Sequence, residues 1–255
     1  MSRRALQTAI AILTITALLL GCDNGDQGTM VAVHKLVTIT ETDAVDLPGQ
    51  RLAAHSDTVV MWLGPGLARR DVGRASFLVD AVRGEFTQVD HAERHWTRAS
   101  AADISLALAT LAQDSVQGVD RQTRMLQKLL NISARVTDMD ESRTIDGYPC
   151  RRWVVEQSFG EQNTRSEVWL TDAIAVDSTL LQRVTQPALA AVPGGRQALV
   201  ELSKLRGVPV RAAAFHTILN RETRSESRLV SVDEMTVPLS FFSPPADYAL
   251  TQPDS

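Results

Sequence analysis

Cysteine is almost missing from this 255-residue chain, which holds only Cys22 and Cys150. If Cys22 is consumed by a modification, Cys150 has no partner, and an intramolecular disulfide framework is excluded. Aromatic residues make up only 5% of the chain, so aliphatic side chains must build most of any core. Lysine is confined to Lys35, Lys128 and Lys204, and 26 basic residues face 30 acidic ones. A face able to hold a phosphate backbone needs an excess of positive charge, so nucleic acid is excluded as a partner. The phrases of familiar chemistries are lacking too: there is no GxSxG elbow and no Walker loop. No cofactor is expected.

One long apolar run is present, at the beginning. Residues 1–4 supply a short positive start and residues 9–20 an apolar stretch of the length found in export signals. The uncharged segment 5–21 falls just short of the roughly 20 residues a spanning helix needs. It stops at Leu19-Leu20-Gly21-Cys22, after which Asp23-Asn24-Gly25-Asp26 is polar. This phrase resembles a bacterial lipobox. The resemblance implies a diacylglycerol on the Cys22 thiol, cleavage after Gly21, and a mature protein held by lipid in the cell envelope, facing the periplasm. Each buried methylene contributes about 0.8 kcal/mol, so two or three acyl chains anchor firmly. Asp23 favours the inner over the outer membrane under the sorting rule of enteric bacteria. The chain thus divides into a signal (1–21), a flexible tether (22–29), a single domain (30–250) and a tail (251–255). Losing Arg3 and Arg4 with the signal leaves 24 of the 26 basic residues against 30 acids, a charge of about −6.

Within the domain, residues 30–40 are dense in β-branched side chains and read as a strand, as do 58–63, 75–82 and 85–90, with Arg83-Gly84 as a turn. The period then changes. Ser100 and Asp120 are placed to cap two amphipathic helices, the first carrying Ile104, Leu108 and Leu111, the second Met125, Leu126, Leu129 and Leu130. Strands resume at 136–145, 150–159 and 166–171, two helices follow at 177–184 and 197–205, and 208–219 and 227–232 return to strand. Pro244-Pro245 keeps the segment beginning at Phe241 out of a sheet interior, so its aromatics are expected to plug one edge of the core.

Several of these phrases resemble an uncharacterised family of bacterial secreted proteins and lipoproteins. Thr58-Val59-Val60-Met61-Trp62-Leu63-Gly64, Arg70-Asp71-Val72-Gly73, Phe77-Leu78-Val79-Asp80 and His95-Trp96-Thr97 carry the likeness in the first half. Ile145-Asp146-Gly147-Tyr148-Pro149-Cys150, Glu167-Val168-Trp169-Leu170 and Gly207-Val208-Pro209-Val210 carry it in the second. That family is similar to the LolA/LolB-type lipoprotein carriers. The resemblance implies an α+β, mainly β fold: a curved antiparallel half-barrel sheet with helices covering the concave face around an apolar cavity.

A noncatalytic envelope lipoprotein follows as the expected function, binding an apolar ligand, a lipid acyl chain or an envelope partner protein. Trp62, Phe77, Trp153, Trp169 and Phe215, spread over the strands, are the candidate ligand-binding residues. An envelope enzyme of hydrolase type is the alternative, using Cys150 or the carboxylate pair Asp138 and Asp140; a purely structural or sensory lipoprotein is a third. Strand neighbours two apart put that pair about 7 Å from each other on one face, near glycosidase spacing. His91 and His95 flank Glu93 in a phrase matching neither HExxH nor HxxEH, and in extended chain they lie about 13 Å apart, too far for one ion. No metal is expected.

Overall fold

The computed structural model describes residues 28–47, 50–100, 132–159, 162–186, 189, 194–218 and 221–251. Cys22, the apolar segment before it and the two helices expected between 100 and 131 lie outside the described residues.

Among the described residues, twelve strands form one open sheet. The first half comprises β1 (Met30–Thr42), β4 (His55–Gly64), β5 (Leu67–Val72), β6 (Ala75–Asp80), β7 (Glu85–Asp90) and β8 (His95–Ser100). The second comprises β9 (Ile132–Ile145), β10 (Tyr148–Phe159), β11 (Gln162–Thr171), β12 (Val208–Ile218) and β13 (Arg221–Pro238). The short β2 (Val45–Leu47) and β3 (Gln50–Leu52) pair apart as a hairpin. Across the sheet the order is β14-β8-β7-β6-β5-β4-β1-β13-β12-β11-β10-β9, where β14 (Ala249–Leu250) joins β8 in parallel. Strand β1 is the seam, pairing antiparallel with both β4 and β13.

Local chemistry sets the reversals. Asp80 accepts the amides of Val82 and Arg83, and Asp90 those of Ala92 and Glu93, so two successive hairpins each close on their own Asp-anchored turn. Between β9 and β10, Asp146 and Gly147 both take positive φ, 50° and 87°, the left-handed pair of a type I′ turn.

Side chains alternate across the pleat, and both faces of the first half are used. Leu63, Ala68, Val79 and Phe86 stand in one cross-strand row. They face the main core, where Leu36, Ile145, Cys150, Trp169, Val208 and Val210 also meet. The next row, Trp62, Arg69, Leu78 and Thr87, faces the other way. The closing segment covers it. A 3-10 turn, Leu239–Phe242, sets Phe241 edge-on to Trp62 with ring centroids 5.0 Å apart. Further on, Tyr248 contacts His91, and Ala249 and Thr251 donate to the carbonyls of Arg94 and Trp96.

The helical layer differs from the expected one. Helix α1 (Ser178–Thr185) and helix α2 (Gly195–Leu202) do form near the stretches read from the sequence, with Asp177 accepting the amides of Thr179 and Leu180. They do not cover a concave face. Eight residues give a helix about 12 Å long, whereas the 18 residues of β13 span roughly 60 Å. Each helix instead seals a local patch: Leu180, Leu181 and Val184 of α1 enter the main core, and Ala198 and Leu202 of α2 join Val136, Val155 and Leu189 in a second cluster. The half-barrel with a helical cover is thus replaced, among the described residues, by an open sheet with two small helical plugs.

One plug also guards an edge. Strand β9 is the last in the sheet, and Glu201 of α2 accepts the Val136 amide at 3.2 Å. Two residues beyond Asp138, Asp140 takes a φ of 52° and breaks the regular ladder.

Candidate functional site

Between the two helices and β10–β12 lies a cavity of about 260 Å³. Its floor is one face of the sheet, with Val155, Val168 and Leu170; its wall is Leu181, Leu199, Leu202 and Leu205. Polar contributions come from Gln157, Ser166, Ser178, Gln182, Thr185, Gln186 and Ser227. The lining is dominated by aliphatic side chains, as in sites that take apolar ligands, and the volume lies just under the usual range of about 300–1,000 Å³.

The wall is fixed before any ligand arrives. Gln182 Nε2 donates to the carbonyls of Leu202 and Leu205 at 2.7 and 3.1 Å, tying α1 to the open end of α2. Ser178 Oγ accepts the Gly207 amide at 2.9 Å, so the chain leaving α2 is stapled to the start of α1. Gly207 is required there. Its φ is 99°, and a Cβ would stand 2.1 Å from the Thr171 carbonyl oxygen.

A second, open cleft of about 580 Å³ adjoins the cavity at Leu170, which lines both. Its lining includes Ser142, Arg143, Thr144, Arg151, Trp153, Asp172 and Arg206. Arg143 lies 4.0 Å above the Trp169 ring centroid. Arg151 is spent on Asp138 and Asp140, at 2.7 and 3.2 Å.

Residues 116–248 match the domain of unknown function DUF4412. The chain belongs to this family. The DUF4412 span takes in β9 to β13 and both helices, so the cavity and the cleft fall entirely within it. Among solved structures, PNGF-II in space group C2 is similar over 88% of this chain at 11% identity, with a TM-score of 0.44. This chain spans 31% of that protein. No curated protein matches.

The structure separates the five aromatic candidates. Trp153 alone lines the arginine-bearing cleft, and it packs against the second core cluster. Trp169 is buried in the main core under Arg143. Trp62 lies beneath Phe241, Phe77 stacks on Phe86 with centroids 6.0 Å apart, and Phe215 carries Arg224 at 5.7 Å. The cavity walls are leucines of the stretches read as helical, 177–184 and 197–205; nothing in their spacing marked a void beneath them.

The catalytic candidates sit in ordinary structural settings. Cys150 is 3% exposed, donates to the Tyr148 carbonyl, and burial pushes its thiol pKa up. Asp138 is held below the usual carboxylate range by the Asp140 amide and then by Arg151. Both nitrogens of His91 meet protein partners, Nε2 at 2.7 Å from Ser76 Oγ and Nδ1 at 3.2 Å from Tyr248 OH. Among the described residues no cluster of three metal-ligating side chains forms.

Proposed function

We propose that this protein is a noncatalytic lipoprotein of the bacterial envelope, anchored through Cys22, whose DUF4412 region shelters an apolar ligand or lipid acyl chain in the cavity beneath α1 and α2. The observation that carries the reading is that cavity: about 260 Å³, walled by Leu181, Leu199, Leu202 and Leu205 and held open by the Gln182 and Ser178 hydrogen bonds. Kinship with LolA/LolB-type carriers is the finer form of the proposal and stands on the sequence phrases alone. Thiol chemistry at Cys150 is disfavoured by its burial and raised pKa.

Native mass spectrometry of protein purified without detergent tests the binding. Adducts of fatty-acid or lipid mass are expected, and Leu199→Trp, which fills the cavity from its wall, should deplete them. Consistently empty protein overturns the reading. The anchor is tested separately: the amino-terminal peptide from the producing bacterium should begin at Cys22 and carry the added mass of a diacylglycerol.

A further inference from the structure

Among the described residues, no charged side chain lines the leucine-walled cavity. Its polar side chains fall into two sets. Ser178, Gln182 and Thr185 are engaged by the frame itself: Ser178 Oγ accepts the Gly207 amide, Gln182 Nε2 donates to the carbonyls of Leu202 and Leu205, and Thr185 Oγ1 donates to the Leu181 carbonyl at 2.7 Å. The side chains of Gln157, Ser166, Gln186 and Ser227 have no hydrogen-bond partner among the described residues. Strand register sorts the floor by polarity. Leu170 stands opposite Pro209 at one end; four residues back along β11, about 13 Å away on the same face, Ser166 stands opposite Val155. Gln157 lies two residues beyond Val155, opposite Thr164. The next side chain on that row is His216, whose Nδ1 and Nε2 lie 3.0 Å from Thr164 Oγ1 and 3.1 Å from Ser225 Oγ. The cavity is therefore apolar at its Leu170 and Leu205 end and has free, uncharged hydrogen-bonding groups at its Gln157 and Ser166 end.

We infer that the cavity takes an uncharged single-chain amphiphile, its tail against Leu170 and Leu205 and its hydrogen-bonding head beside Gln157 and Ser166. This rests on the apolar-ligand reading above and adds the chemistry of the head and the direction of the chain. An amide and a hydroxyl both donate and accept, so together they satisfy an alcohol, ester or amide head. An ionised head would leave water and find no countercharge on the lining. Volume limits the tail. A methylene fills much the same space as a water molecule in the liquid, about 30 Å³, so a cavity of about 260 Å³ holds roughly nine such groups, one short chain and not two.

The test is calorimetric titration of the purified full chain at neutral pH with nonanol, nonanoate and nonylammonium, three heads on one tail. Nonanol should bind at least about tenfold more tightly than either ion. Two charge variants at the half-buried Gln157 then locate the head. Gln157→Lys should raise the affinity for nonanoate relative to nonanol about tenfold, the scale of one charge-assisted contact, and Gln157→Glu should do the same for nonylammonium. Comparing such ratios within one pair of compounds cancels each compound's own cost of leaving water, and a variant that merely loosened the fold would weaken all three ligands together. Either ion binding the unaltered protein as tightly as nonanol overturns the inference and leaves the apolar reading intact. Ratios that do not move in the two variants, or move in the same direction in both, overturn the placement of the head beside Gln157. Binding of none of the three overturns the inference and the apolar reading together.

Discussion

Arg69 is clamped by Phe241: its guanidinium carbon lies 4.4 Å from the ring centroid, and its Nη1 donates to the Phe241 carbonyl at 3.0 Å. The same guanidinium reaches Asp71 at 2.9 Å and Ser76 at 3.3 Å, so one side chain joins strand β5, strand β6 and the closing segment. Arg69→Ala should lower unfolding free energy by about 2 kcal/mol, combining the lost ring contact with lost charge-assisted hydrogen bonds. Phe241→Ala should cost a similar amount, about 2–3 kcal/mol, less than a fully buried phenylalanine. In both, amide exchange should quicken over 239–251 before the rest of the sheet. Uniform exchange with no local loosening would show that the segment is held by other contacts.

Gly207 tests the cavity's framing. Gly207→Ala forces a side chain into a φ of 99° and drives its Cβ onto the Thr171 backbone, so a loss of at least about 3 kcal/mol is expected from urea unfolding. Gly147→Ala is the comparison. That glycine also has positive φ, 87°, but nothing lies within 4 Å of its added Cβ, and about 1 kcal/mol is expected. Equal effects at the two sites would mean that the close approach to Thr171 relaxes without cost.

How far the fold was legible follows from which residues each strand shows to solvent. Strands β1, β6, β7, β10 and β11 combine β-branched residues with alternation, and their positions were readable. Strand β5 was not, because Arg69 and Arg70 look like surface residues in sequence; in the fold Arg69 lies under Phe241 and Arg70 over Phe77 at 5.5 Å. Only 227–232 was readable within the longer β13, whose flanks alternate polar residues such as Glu222, Arg224 and Glu234. The helical cover fails for a different reason: 177–184 and 197–205 were read as helices and helices form near both, but a helical stretch in a sequence cannot state how much sheet it faces. The site was less legible still. A pocket is a volume left by packing, and Leu199, Leu202 and Leu205 carry the same apolar signature whether they fill a core or border a gap.

Acid should weaken the fold through its turns and its β9–β10 pair. Asp90 is held below the usual carboxylate range by the amides of Glu93 and Ala92, and Asp138 by the Asp140 amide and Arg151. A folded-state pKa depressed below the unfolded value of about 3.9 contributes stability that is present above that value and lost as pH falls through the folded one. Asp90→Asn and Asp138→Asn should therefore flatten the decline in urea midpoint between roughly pH 5 and pH 2. An unchanged acid slope in both would place the sensitivity elsewhere.

Cys150 should behave as a structural thiol. Its burial and raised pKa predict that an aromatic disulfide reagent at pH 8 labels it orders of magnitude more slowly in native protein than in urea. Fast native labelling would reopen thiol chemistry at this position.

An open sheet invites strangers to extend it, because its terminal strands present amides and carbonyls in search of company. At one end of this sheet β14 lies alongside β8, and at the other Glu201 occupies the outward amide of Val136 while Asp140 twists the backbone out of line. At these points an incoming strand meets an obstruction, and edge-to-edge stacking is discouraged there by the same glutamate that fastens α2 to its neighbour.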